Sequence, residues 1–123
     1  MNIEILSFLL EKKCPTTKGF HYLKSCIAQV KEDPTVITAL NKGLYEDVGR
    51  EHNAEPEAVE RCLRTLINLW WQQDELKEYF VERPSARQLI LTMTEKFTSR
   101  PPTQSQQYSN HDEYVSIYEK LFG

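Results

Sequence analysis

Glu60 and Arg61 stand side by side, with Arg64 one turn further on, in a segment whose apolar residues Val59, Cys62, Leu63, Leu66 and Trp70 recur at helical spacing. That spacing gathers the apolar side chains on one face and leaves Glu57, Glu60, Arg61, Arg64 and Asn68 elsewhere on the rod. A guanidinium presents paired donors that match guanine O6 and N7, and a carboxylate can accept from cytosine N4. The same residues also suit a plain solvated face, because Glu57 and Arg61 are four apart and make an ordinary surface pair. Catalysis finds no comparable arrangement. No nucleophile with a nearby base and no glycine-rich phosphate loop is visible, and Glu46-Asp47, Asp74-Glu75 and Asp112-Glu113 fall at helix starts or on outward faces. No enzymatic activity is expected. His21, His52 and His111 lack metal-ligand spacing with one another or with the cysteines, so neither a metal nor a cofactor is expected.

The elements around this segment narrow the choice. A helix-turn-helix needs a small residue where its helices press together, a turn residue tolerant of positive φ four positions later, and an apolar residue six beyond that. Gly49, Asn53 and Val59 meet those needs in order, with Val48 supporting the first helix and Pro56 apt for the first turn of the second. His52 departs from the pattern, since an apolar residue is usual just before the turn, and its imidazole must be accommodated partly exposed. On spacing alone, an ordinary helical hairpin fits as well.

The rest of the chain also reads as helical. The 123 residues contain four glycines, and apolar positions recur mostly three or four apart, which predicts an all-α, compact multi-helix domain. Ile3, Leu6, Leu9 and Leu10 form a first stripe, broken at Cys14-Pro15-Thr16-Thr17. Phe20, Leu23, Ile27 and Val30 form a second, closed at Asp33-Pro34, where a third helix is expected to start and to kink or restart near Gly43. Trp70 and Trp71 read as core. Asp74 is a candidate cap for a short helix holding Leu76, Tyr79 and Phe80. Ser85 and Gln88 make a capping box that opens a helix with Leu89, Ile90, Met93 and Phe97 inward.

These readings divide the chain into a domain over 1–97, a polar linker over 98–109 and a C-terminal helical tail over 110–123, whose Tyr114, Ile117, Tyr118 and Leu121 share one stripe. A tail helix of that length is marginal in isolation, so it must dock on this domain, on a second copy or on a partner.

Composition excludes several classes. Forty per cent hydrophobic residues support a modest core, and a formal charge of -3 argues against a globally basic nucleic-acid binder, so any DNA contact must be local. Cys14, Cys26 and Cys62 are too few and too irregular for a disulfide framework. No apolar stretch approaches the roughly 20 residues of a membrane helix. A cytoplasmic protein without membrane contact is expected.

The stretch from Pro15 to Phe97 resembles the C-terminal effector domain of the stage 0 sporulation response regulator family. The resemblance rests on Pro15, on Lys18-Gly19-Phe20-His21-Tyr22-Leu23-Lys24 with Ile27, and on Lys42, Leu44-Tyr45 and Asp47. It continues through Asn53, Val59-Glu60-Arg61, Arg64, Ile67 and Trp71, and ends in a block from Pro84-Ser85 through Ile90 and Lys96. It implies a six-helix domain that places the second helix of its helix-turn-helix in the DNA major groove, commonly as two copies on adjacent sites. Double-stranded DNA is then the partner. Glu60 and Arg61 are the implied base contacts, and Lys42, Arg50, Arg64 and Thr65 are candidates for phosphate contacts, which position without specifying.

Departures from the family pattern qualify this. Ala58 replaces an Arg, Thr65 replaces a His, and the connection before Pro84 is shorter. Nothing in the chain can house a phosphoacceptor receiver. Between Ile37 and Trp71, four cations face six carboxylates, a balance of -2 that should weaken DNA binding or make it depend on multimers. That balance, Ala58 and the tail motivate a second reading: a degenerate helix-turn-helix that binds a protein and acts as an inhibitor or anti-regulator, suited to a mobile-element origin. A homodimer through the tail is compatible with either reading.

Overall fold

The computed structural model describes residues 3–99, and every regular element among them is helical. The described residues form five α-helices: α1 Ile3–Glu11, α2 Lys18–Glu32, α3 Tyr45–His52, α4 Pro56–Gln72 and α5 Ala86–Ser99. α2 touches each of the other four and carries Phe20, Leu23, Cys26, Ile27 and Val30 into the centre. The all-α, compact fold read from the sequence is the fold observed. The tail expected over 110–123 lies outside the described residues.

One close approach fixes the axis of the fold. Gly19 of α2 lies against the backbone of α4, where a Cβ would come within 2.5 Å of Cys62 O and 2.9 Å of Leu66 Cβ. Any larger residue would push the two helices apart. Trp70, at the far end of α4, is fully buried, and its indole Nε1 donates to Lys12 O at 3.2 Å. The buried ring thus keeps its polar group satisfied while tying α4 to the end of α1. Trp71 is half-buried and packs against the edge of the core, with the Lys77 ammonium 5.4 Å above its ring, so the core expectation holds fully for Trp70 and in part for Trp71.

Two further expectations hold only in part, for identifiable reasons. Of the expected stripe of Ile3, Leu6, Leu9 and Leu10, α1 buries only Leu9, with Ile5 and Phe8 beside it; Leu6 is half-buried, and Ile3 is 64% and Leu10 49% exposed. α1 is apolar nearly all round, so periodicity leaves its rotation open. The edge-on contact of Phe8 with Phe97 of α5, at 5.5 Å between ring centres, belongs to the face that packing selects. The third helix expected from Pro34 restarts near Gly43 as read, but its first part is not α-helical. Asp33 caps as expected, its Oδ1 accepting from Thr35 N at 3.1 Å and from Thr35 Oγ1 at 2.6 Å. The chain then makes a 3-10 turn over Pro34–Thr38, breaks at Ala39 and passes through a π-helical turn over Leu40–Leu44 before α3. The run Thr35-Val36-Ile37-Thr38 is β-branched throughout, which disfavours a continuing α-helix.

Asp74 is also not a helix cap. It adopts a left-handed conformation (φ 66°) just past α4, pairs with Lys77 at 2.6 Å, and is followed by one 3-10 turn over Leu76–Glu78. The capping box at α5 forms as read: Ser85 N donates to Gln88 Oε1 at 2.9 Å and Gln88 N to Ser85 Oγ at 3.2 Å. Leu89, Ile90, Met93 and Phe97 face inward.

Candidate nucleic-acid interface

α3 and α4 are joined by a turn over Asn53, Ala54 and Glu55. Asn53 takes the left-handed conformation at φ 57° and ψ 46°, and Ala54 N donates to Gly49 O at 2.8 Å. Gly49 is required by this turn, because a Cβ there would collide with the Ala54 carbonyl oxygen. The small residue therefore accommodates the turn backbone itself. Pro56 occupies the first turn of α4, and Glu55 gives no side-chain capping bond. Val59 is fully buried, completing the helix-turn-helix spacing.

His52, the residue that breaks the usual pattern, is held by α2. Its Nε2 shares a hydrogen bond with Ser25 Oγ at 2.9 Å, and its ring packs edge-on to Tyr22 at 5.1 Å. A polar partner on a neighbouring helix thus takes the place of the apolar contact expected there. The imidazole stays partly exposed.

The outward face of α4 divides into two flanks. On one, Arg61 is exposed and lines a concavity with Lys18, His21, His52, Asn53 and Ala58, in which no carboxylate among the described residues takes part. On the other, Arg64 Nη2 donates to Glu60 Oε2 at 2.6 Å, one turn apart, with both side chains well exposed. Glu60 shares one depression with Lys42, Tyr45 and Arg87, and another with Arg64, Asn68 and Arg83. Arg83 is steered by Asn68, to whose Oδ1 it donates at 2.8 Å. Thr65 is exposed, and Arg50 is ion-paired to Asp47 within α3; neither lines these three concavities.

Lys18, His21, Arg83 and Arg87 were not among the residues expected at this surface. They come from α2, α5 and the loop before it, beyond the stretch over which charge was counted. Glu51, counted there as an acid of the same stretch, lines a separate cavity with Ser25, Glu32 and Asp33. The balance of -2 thus mixes charges from different sides of the molecule, and it omits three cations that border α4.

Tyr45 lies beneath this surface. It is 1% exposed, and its hydroxyl has no hydrogen-bond partner among the described residues. Burial pushes its pKa above the ordinary tyrosine value, with Cys26 and Glu60 acting in the same direction and Arg87 against it.

Among the described residues, no helix is long and apolar enough to cross a membrane. A family model described as the sporulation initiation factor Spo0A C terminal matches residues 9–98 of the 123. The matched span runs from the end of α1 into α5, and so includes the glycine-dependent turn, both flanks of α4 and the cations that border them. With that coverage, the chain belongs to the Spo0A C-terminal family of DNA-binding effector domains of sporulation regulators.

Proposed function

We propose that this protein is a sequence-specific DNA-binding regulator of transcription that inserts the first turns of α4 into the major groove. The supporting observation is the setting of Arg61: exposed, on the helix after the turn, in a concavity lined by Lys18 and His21 and, among the described residues, by no carboxylate. A guanidinium in that setting can turn its paired donors toward guanine, while Glu60 on the adjoining flank can accept from cytosine. Lys42, together with Lys18, Arg83 and Arg87, would meet phosphates on either side of the groove, and Arg64 would join them where it leaves Glu60. Arg50 and Thr65 lie further from these concavities and are secondary candidates. Duplex DNA as target implies work in the cytoplasm.

The test is selection of a preferred duplex from a randomised pool, followed by titration of the full chain against that duplex and a scrambled one. Preferred binding should weaken steeply with salt. Arg61→Ala should reduce it by roughly 5- to 150-fold, the equivalent of about 1–3 kcal/mol for one good base contact, with little loss on the scrambled duplex. Absence of any preferred sequence at low salt would overturn the proposal.

A further inference from the structure

α1 turns a second apolar face to solvent. Ile3 and Leu10 are 64% and 49% exposed, and Leu6, half-buried, lies between them at i+3 of the same stripe. This face sits at the opposite end of α4 from the candidate reading surface. The Trp70 indole is bonded to Lys12 O just beyond α1, and Trp70 is nine residues, or about 13 Å of helix, from Arg61. An apolar stripe far from the DNA face needs another occupant.

We propose that the occupant is this chain's own segment 114–121, docked in cis along α1. Three observations favour it. The chain leaves the domain beside α1, because Phe97, two residues before the end of α5, packs against Phe8. The fourteen residues from 100 to 113 can reach about 46 Å at roughly 3.3 Å per residue, several times the length of α1. Tyr114, Ile117, Tyr118 and Leu121 repeat at i, i+3, i+4 and i+7, an apolar stripe about as long as the one on α1. Ile3, Leu6 and residues 114–121 lie outside the span that matches the family model, while Leu10 lies just inside it. A helix of this length is marginal alone, so docking would supply the stability it lacks. The docked segment leaves Arg61 uncovered.

Amide hydrogen exchange read by mass spectrometry on the full chain tests this, with light scattering on the same samples. Residues 112–122 should exchange at least tenfold more slowly than an unstructured peptide, in a chain of monomer mass. Leu10→Asp should abolish that protection while α2 to α5 keep theirs. Leu121→Asp should speed exchange in α1 while α2 to α5 keep their protection. Unprotected residues 112–122 in the unaltered chain would overturn the proposal. So would protection that survives both substitutions, or protection that grows with concentration as the mass doubles, which would assign the α1 face to a second copy.

Discussion

Glu60 and Arg64 neutralise each other across one turn of α4, at 2.6 Å, while Arg61 between them faces the opposite flank without an ion pair among the described residues. The two arginines of this face are therefore not equivalent. Arg64 is engaged and Arg61 is not. Removing the carboxylate with Glu60→Ala should free Arg64 for phosphate and remove a repulsion. Binding to scrambled duplex should tighten, and the slope of log affinity against log salt should steepen by about 0.9, the value for one more phosphate contact. Discrimination between preferred and scrambled duplex should fall. Fluorescence anisotropy at several salt concentrations checks both outcomes.

Lys18 and Arg87 border α4 from outside it, and a phosphate role for either predicts a loss that is blind to sequence. Lys18→Ala and Arg87→Ala should each weaken preferred and scrambled duplexes by the same factor and lower the salt slope by about one. A loss confined to the preferred sequence would reassign that residue to base reading.

Gly49 and Gly19 are bound by sterics at two different places, the turn and the α2–α4 crossing. Gly49→Ala and Gly19→Ala should each destabilise the chain by about 1–3 kcal/mol. At roughly 4–8 °C per kcal/mol for a domain of this size, the Tm should fall by about 4 °C or more. Thermal unfolding followed by circular dichroism measures it, and unchanged melting would show that the backbones can separate without cost.

The Tyr45 hydroxyl, buried without a partner among the described residues, predicts a tolerant substitution. Tyr45→Phe should be within about 1 kcal/mol of the unaltered chain at pH 7, or more stable, because removing an unsatisfied hydroxyl forfeits no hydrogen bond. Burial raises the folded-state pKa, so the unfolded chain ionises first as pH climbs past the ordinary tyrosine value of about 10. The unaltered chain should therefore lose stability relative to Tyr45→Phe above that pH, as read by urea unfolding at pH 7 and pH 10.5.

Burial pushes the thiols of Cys14 and Cys26 well up, with Glu51 adding to the effect at Cys26, whereas Cys62 is half-buried on the wall that Arg61 shares. Iodoacetamide should modify Cys62 first in the folded chain. The preferred duplex should slow that reaction several-fold, as followed by peptide mass spectrometry. Equal reactivity of all three thiols would contradict the packing around α2.

Sequence alone determined the parts of this protein governed by local geometry. Asn53 needs a left-handed turn, Gly49 needs space, Ser85 and Gln88 bond each other reciprocally, and Val59 through Trp70 repeat with the helical period. Each follows from residues a few positions apart, so no knowledge of distant contacts was required. Tertiary structure decided what local pattern left undetermined. α1 is apolar on too many sides for periodicity to choose its buried face, and the choice of Ile5, Phe8 and Leu9 belongs to its packing with α2 and α5. His52 found Ser25, twenty-seven residues away, and Lys18 came to border Arg61 because Gly19 lets α2 lie against α4. Charge counted along a stretch of sequence adds groups that the fold sends to different sides. Potential at a surface depends on distance in space, and only the packed helices set that distance.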